Sequence, residues 1–443
     1  MAHGAEGPRQ APDAQVQTQQ DPFGKLRALD EGRIASTWSS LPWADGCKND
    51  ADSTALAVHA TALAESSSSA QEQRTGPFDL IDPRYRVQLD ATAQVGCVVG
   101  QLAVQRQVGT QGDFWSADGS ALSWRINEHW RVAAGLIARQ WGPAWDGSLI
   151  LDTSARPFPS VSVDARSGPL PSSSFWWWLG EVDFSAFFGQ LERDRGDYAR
   201  PYFNGLRLVV RPIPSLELGV SRVAQWGGEG RDNSLSAFWD MLIGRDNQVS
   251  GDGTSEQPGN QLAGFDARWN LSSWLPGVGL YAQAIGEDEA TGAPYKYLYQ
   301  GGMDWRLDGA LAFMEFAHTT AKNLGTAYNH FIYTDGYRYK GRPLGHWADG
   351  DSSVLSVGGL LPDVVGGQGL AVLRYGTLNS AGINPTWPES RLVAASLQWR
   401  RELDKSLRLT VSADYFELNV LPGTPEATRD RDAQLRVQLE WWH

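Results

Sequence analysis

Cysteine is nearly absent, with 2 among 443 residues. Two thiols make neither a disulfide scaffold nor a four-thiolate zinc site. The few histidines (His3, His59, His129, His318, His330, His346, His443) are scattered without metal-ligand spacing. There is no block of Lys and Arg, and 38 basic against 51 acidic residues leave a formal net charge of −13. Nothing in the chain neutralises a phosphate backbone, so a nucleic-acid partner is excluded. No apolar run approaches the roughly 18 residues of a membrane-crossing helix. Residues 1–22 have neither the basic start nor the apolar stretch of about 7–15 residues that mark a secretory signal. They are polar and read as disordered. A mature chain whose signal is gone and a cytoplasmic protein both fit such a start.

Catalytic signatures are missing too. No HExxH, GxSxG, P-loop or dinucleotide fingerprint is found. Asp349 and Asp351 look like a fragment of a calcium loop without its closing glutamate. Glu287, Asp288 and Glu289 read as a solvated acidic loop, since glycan hydrolysis needs two carboxyls at a set separation. The chain is therefore expected to be non-enzymatic, with no cofactor and no metal.

What the chain does contain is 20 Trp, 48 Gly and a period that changes along its length. Residues 23–65 look helical. Phe23, Leu26 and Leu29 recur at helical spacing before Gly32, and Asp52 or Ser53 suits the cap of a second helix carrying Leu56, Ala60 and Leu63. The serines at 66–69 break the pattern. Beyond about residue 80 the period is two. In 433–442, Ala433, Leu435, Val437, Leu439 and Trp441 alternate with Gln434, Arg436, Gln438, Glu440 and Trp442. Segments 85–92, 263–270 and 407–415 repeat the alternation. Further candidates begin near 100, 122, 131, 174, 181, 202, 215, 278, 296, 310, 353, 369 and 391, giving about 17 strands of roughly ten residues.

A soluble sandwich or propeller buries the apolar face of such strands, whereas a membrane barrel turns it to lipid. The barrel fits better. Strand lengths match a tilted crossing. Full charges lie on the opposite face (Arg207, Glu217, Arg408, Asp414, Arg436, Glu440), where a wet lumen tolerates them. Trp130, Trp226, Trp305, Trp399 and Trp441 sit at strand ends, as interfacial girdles do. A final strand lets the sheet close without an edge. No blade repeat is visible. In the oxidising compartment that this location implies, Cys47 and Cys97 are free to pair and tie the helical segment to the first strands; two unpaired small hydrophobes are the alternative.

Between the expected strands lie aromatic-rich polar segments: 139–164, 216–247 followed by 257–269, 284–294 and 328–352. Trp and Tyr faces beside Arg, Asn and Asp suit a sugar, whose C–H face stacks on a ring while its hydroxyls bond polar groups. The same residue types pack a lumen shut, and inward Phe187, Tyr281 and Phe313 point to filling.

Segments 139–164, 216–247, 257–269 and 328–352, with LRALDEGRIASTWSSLPWAD at 26–45, resemble the capsule assembly Wzi family of Gram-negative outer-membrane proteins. The resemblance runs from about residue 22 to the C-terminus; the linker at 46–80, with Cys47 and a serine run, departs from it. It implies an all-β transmembrane barrel of about 18 antiparallel strands with a small N-terminal periplasmic helical segment. The organisation expected is 1–22 disordered, 23–80 periplasmic helices and linker, and 81–443 outer-membrane barrel. It further implies a lectin-like, occluded barrel that holds capsular or secreted polysaccharide at the cell surface, with outer-membrane lipid and a polysaccharide export complex as further partners. A channel for polysaccharide export or solute diffusion is the alternative. On physical grounds Trp141, Trp145, Trp226 and Tyr337 are candidates to stack on sugar rings. Arg139, Arg222, Arg231 and Arg338 are candidates to meet uronate or phosphate groups. Asp146, Asn247, Asn260 and His330 are candidates to bond hydroxyls.

Overall fold

A computed structural model describes residues 37–41, 54–67, 83–109, 112–242, 259–271, 274–290, 293–320, 327–384, 386–420 and 429–442. Its wall is made of β1 (Thr54–Ser67), β2 (Pro83–Val95), β3 (Val98–Gly109), β4 (a bent strand, Gly112–Ser116 and Ala121–Arg125), β5 (Trp130–Leu136), β6 (Pro159–Arg166), β7 (Glu181–Gln190), β8 (Tyr202–Ile213) and β9 (Leu216–Trp226). It continues through β10 (Gly259–Asn270), β11 (Val278–Ala290), β12 (Ala293–Leu307), β13 (Ala310–His318), β14 (Ser353–Val364), β15 (Gly367–Leu378), β16 (Ser390–Glu402), β17 (Leu407–Val420) and β18 (Arg429–Trp442). Each strand pairs antiparallel with its neighbour in sequence, and β18 pairs with β1, so the sheet closes into an 18-strand barrel with no free edge.

The alternation read in the sequence sorts side chains between the two faces. Val87, Leu89, Leu208, Val220, Phe265, Leu373, Leu435 and Val437 point outward and stay exposed, the lipid-facing wall of a membrane-crossing barrel. Inward charges pair across strands: Arg207 with Asp266 at 2.6 Å, Arg211 with Glu217 at 2.6 Å, Arg408 with Glu440 at 3.1 Å, and Arg436 with Asp414. Short turns (96–97, 126–129, 214–215, 308–309, 365–366, 403–406) join strands at one end, and long connections (137–158, 191–201, 227–258, 319–352, 379–389) at the other. That asymmetry marks the periplasmic and extracellular ends of an outer-membrane barrel. Trp124, Trp130, Trp269, Trp305 and Trp441 ring the short-turn end facing out.

Several sequence expectations are corrected. The helix expected to carry Leu56, Ala60 and Leu63 is strand β1, and the barrel begins at Thr54 rather than 81. This segment is rich in alanine, which favours helix intrinsically and blurs alternation because it is equally at home on either face. Two flanking strands override that propensity: Thr61 faces the interior and Val58 and Ala62 face out. Thr37–Ser39, inside the stretch expected to be periplasmic helix, is a short strand paired with Arg139–Trp141. Phe23, Leu26 and Leu29 lie outside the described residues. No strand starts near 174; Trp177–Leu179 is a 3-10 turn. Segment 139–164 contains wall strand β6, 216–247 and 257–269 contain β9 and β10, and the described residues of 284–294 belong to β11 and β12, which puts Glu287, Asp288 and Glu289 on a strand rather than in a loop. Trp226 does not belong to an open girdle. It is buried under helix α1 (Leu235–Leu242), on the face of the sheet that carries Leu218 and Val220. Cys97 sits in the turn from β2 to β3, and Cys47 lies outside the described residues.

If β1 closes the wall, deleting residues 54–67 abolishes the heat-modifiable folded band in unheated SDS electrophoresis, and Thr61→Pro weakens it by removing a ladder donor. A periplasmic helix there would leave the band intact.

Candidate functional site

Among the described residues, connections 137–158 and 319–352 and the segment Thr37–Leu41 pack inside the barrel. Connection 137–158 is held most firmly. Glu315, inward from β13, accepts hydrogen bonds from the backbone amides of Trp145 (2.8 Å) and Asp146 (2.9 Å). The Trp145 indole donates to Asp304 of β12 at 2.9 Å and stacks on Phe313. Asp146 receives Arg374 of β15 at 2.8 Å and the Ser356 hydroxyl of β14 at 2.6 Å. Gln283 of β11 binds the Leu149 amide at 2.8 Å and the Trp141 carbonyl at 3.0 Å. Gly147 lies at φ +151, and a Cβ there would press on His346.

Connection 319–352 lies against the first. Tyr328 and Tyr337 donate to the carbonyls of Leu149 (2.6 Å) and Ile150 (2.5 Å), and Arg338 clamps Asp349 through Nε (2.7 Å) and Nη2 (2.9 Å). An apolar layer joins plug to wall: Trp141, Leu149, Ile150, Phe158 and Tyr337 meet Phe187, Phe203, Val223 and Leu262. Gly205 makes this approach possible, since any Cβ there would overlap the rings of Phe187 and Trp141. The third segment is Thr37–Leu41, which pairs with Arg139–Trp141 and is held by Arg207 to the Thr37 hydroxyl (2.8 Å) and Arg131 to the Leu41 carbonyl (3.1 Å). Phe187, Tyr281 and Phe313 do fill the interior, as their positions predicted.

His346, on the plug beside Trp347, is pushed down to about 4 by burial, which outweighs the attraction of Asp146; Arg374 pushes the same way as burial. Its Nδ1 accepts the Ala348 amide at 3.2 Å, a bond that protonation removes.

At the extracellular rim, connections 191–201 and 327–337 meet. Arg195 bonds Asp197 (2.7 Å) and the carbonyls of Arg338 (2.8 Å) and Gly336 (3.0 Å). Burial pushes the Asp197 carboxyl up, but the Arg195 bond and charge and two backbone donors outweigh it and leave the group below its ordinary value. Asp335 accepts the Gly196 amide at 2.6 Å and donates its own amide to Asp197 at 3.0 Å. This frame holds the half-buried Tyr198 edge to face with the fully buried Tyr333, with Arg231 over both rings at 5.1 and 5.4 Å. His330 lies against Phe331 at 4.6 Å, and Phe331 is exposed. Aromatic faces beside a guanidinium and carboxylates are the surface chemistry that a sugar needs.

The structure gathers only part of the sequence-predicted set here: Arg231 and His330 are at this rim. Trp141, Tyr337 and Arg338 are interior plug residues, Arg139 bonds Ser160 at 3.0 Å under the Phe187 ring, and Trp145 and Asp146 are spent on the Glu315 and Arg374 anchors. Arg222 lies on the outer face and caps α1 through the carbonyls of Leu242 (2.6 Å) and Met241 (2.8 Å), next to the buried Trp226. Asn260 is buried on the inner wall beside Gln225; its Nδ2 and both amide atoms of Gln225 find no hydrogen-bond partner among the described residues. Asn247 lies outside the described residues. Sequence reasoning passed over Arg195, Asp197, Tyr198, Tyr333 and Phe331, although the density of aromatics in YNHFIYTDGYRY at 328–339 was the available signal.

A family model described as capsule assembly protein Wzi matches residues 83–431. A 55.8 kDa protein in the cps region of Klebsiella pneumoniae is 32% identical over 323 residues, which is 70% of this chain and 62% of the relative. The chain therefore spans about three fifths of that relative's length. The solved structure of Escherichia coli Wzi, described as an outer-membrane protein involved in group 1 capsule assembly and a carbohydrate-binding β-barrel, superposes with a TM-score of 0.72 at 26% identity, covering 86% of this chain and 83% of that one. Pseudomonas aeruginosa OprD shares the fold alone, at TM-score 0.51 and 9% identity over 90% of this chain and 97% of that one.

Two outcomes are expected from the plug. Asp146→Ala strands Arg374 in the interior, a loss of about 3–5 kcal/mol, and turns a silent barrel into one with discrete conductance steps in planar bilayers. Acidification acts in the same direction. His346 stays neutral in the fold but charges in the unfolded chain, so its contribution is lost as pH falls from about 6.5 toward 4, on the order of 3 kcal/mol. Openings should grow more frequent at pH 4 than at pH 7, and His346→Gln should flatten that dependence.

Proposed function

The chain belongs to the capsule assembly protein Wzi family, and on that premise we propose that it is a non-enzymatic outer-membrane barrel holding capsular or secreted polysaccharide at the cell surface. The observation that carries this reading is the rim platform of Tyr198, Arg231, His330 and Phe331, backed by the buried Tyr333. A polymer meeting that end finds rings, a guanidinium and carboxylates above the packed plug connections. Its ligand contacts are Arg231 and His330 from the expected set, joined by Tyr198 and Phe331; Tyr333 is buried beneath them and holds Tyr198 and Arg231 in place. Trp141, Trp145, Asp146, Arg139, Tyr337 and Arg338 act one layer below, as the plug that fixes the platform.

The net charge of −13 repels an acidic polymer at long range, yet the field at contact is set locally by Arg231. A polymer with spaced uronates or a neutral backbone suits that pattern better than a densely charged one. The filled lumen argues against the channel alternative, because Glu315, Asp304 and Arg374 pin the plug from three strands. The Cys47–Cys97 pairing belongs to the same proposal. Thr54, seven residues after Cys47 in sequence, pairs with Val95, two residues before Cys97.

Arg231→Ala and Phe331→Ala should each weaken binding of purified surface polysaccharide to the reconstituted barrel about tenfold, the loss typical of one well-placed contact, with the folded band unchanged. Deleting the gene should move polymer from the cell-bound to the medium fraction. Loss from both fractions would instead point to export. Peptide mapping without reductant should recover residues 47 and 97 in one linked peptide pair.

A further inference from the structure

The connection between β6 and β7, residues 167–180, is anomalous. It lies at the short-turn end, where neighbouring turns are as brief as 96–97, 214–215 and 308–309. Its sequence, SGPLPSSSFWWWLG, holds no charged residue. It is nonetheless ordered. Ser167 and Leu170 donate to the carbonyls of Val182 and Gly180, Ser174 donates to Pro171, and Trp177 donates to Ser174. The turn so built throws its rings outward: Phe175 is 80% exposed, Trp176 55%, Trp177 58% and Trp178 51%. A water-facing turn gains nothing from four exposed aromatic side chains, and a contiguous patch of this kind marks a surface that meets something.

What it meets follows from where it leaves the wall. In the β5–β6 ladder Trp130 stands opposite Ala165, and Arg166 donates its amide to the His129 carbonyl. The connection therefore departs at the depth of the outward-facing Trp130, one of the ring that includes Trp124, Trp269, Trp305 and Trp441. Tryptophan collects at that depth because its indole is apolar in body and polar at the N–H, and the headgroup layer satisfies both. Exposed Ile213, at the end of β8, continues the apolar surface from the wall toward the turn. We propose that residues 167–180 form an interfacial anchor, seated among the headgroups of the periplasmic leaflet and fixing the depth and tilt of the barrel. The proposal rests on the reading of this chain as an outer-membrane barrel.

The test is spin-label accessibility in phosphatidylethanolamine–phosphatidylglycerol vesicles, with the full chain in a Cys47→Ser, Cys97→Ser background. Labels go at Phe175→Cys, at Leu373→Cys on the lipid-facing wall, and at Val365→Cys in an exposed turn of the same end. The anchor predicts that Phe175 is shielded from a water-soluble nickel complex about tenfold more than Val365 while remaining open to oxygen, as a group in the interfacial layer is. Nickel access at Phe175 equal to that at Val365 overturns it. So does shielding from both reagents that needs an added periplasmic protein. The Leu373 label reports separately whether the barrel itself is in the bilayer. If the cysteine-free background does not fold, the native chain is compared with a variant carrying Trp176→Ser, Trp177→Ser and Trp178→Ser. The anchor predicts less fluorescence quenching by headgroup-proximal brominated lipid in the variant, and equal quenching overturns it.

Discussion

Glu315 carries the architecture of the extracellular half. One buried carboxylate takes the amides of Trp145 and Asp146, and both its oxygens are used in doing so. Tyr281 and Gln300 donate to it from the adjoining wall at 2.9 and 3.1 Å. Those bonds turn Asp146 toward Arg374 and Ser356, and the Trp145 indole toward Asp304, which Arg268 pairs in turn. A charge in this interior is tolerable only with its partners in place, so the network is cooperative: removing one member leaves another desolvated and unpaired. The specificity of the plug comes from these placements, and the apolar layer of Leu149, Ile150 and Phe158 supplies bulk attraction. Bulk attraction alone would allow the same loop many nearly equivalent seats.

Position in the barrel divides labour among chemically similar residues. Arginines illustrate it. Arg374 and Arg338 neutralise buried carboxylates, Arg222 caps a helix on the outer face, and Arg231 lies across two rings at the rim. A platform that binds polymer must not sag when the polymer pulls. The Arg195–Asp197–Asp335 frame ties the 191–201 connection to the 327–337 stretch, and Tyr333 reaches the Gly227 carbonyl at 3.0 Å. The rim is thereby continuous with the plug below it, and the plug with the wall.

Period-two alternation made the wall legible from the sequence, because along most of its length each strand has one face in lipid and one on a polar interior. Where both faces carry alanine, as in Thr54–Ser67, the contrast vanishes and helix propensity misleads. The first arm of β4 (Gly112–Ser116) and the strand β6 were hidden for a related reason: each is short, and β6 runs out of a plug whose own residues look like its neighbours. The candidate site was legible by composition only. The sequence located the loops rich in Trp, Tyr and Arg. It gave no means of telling an indole that faces the interior, such as Trp141, from a ring at the surface, such as Phe331, because both kinds of site use the same residue types. Partners such as Glu315 for Trp145 lie far away in sequence and meet only in the closed barrel.

The central claim is that polymer is held on the rim and does not enter the barrel. Amide hydrogen exchange of the reconstituted protein, with and without purified surface polysaccharide, tests it most directly. Protection confined to peptides spanning 191–201, 227–234 and 327–337, with exchange in 141–151 unchanged, is the predicted footprint. Protection or deprotection that runs through 141–151 and the inward faces of the strands would mean that the polymer passes into the lumen, and would contradict the account.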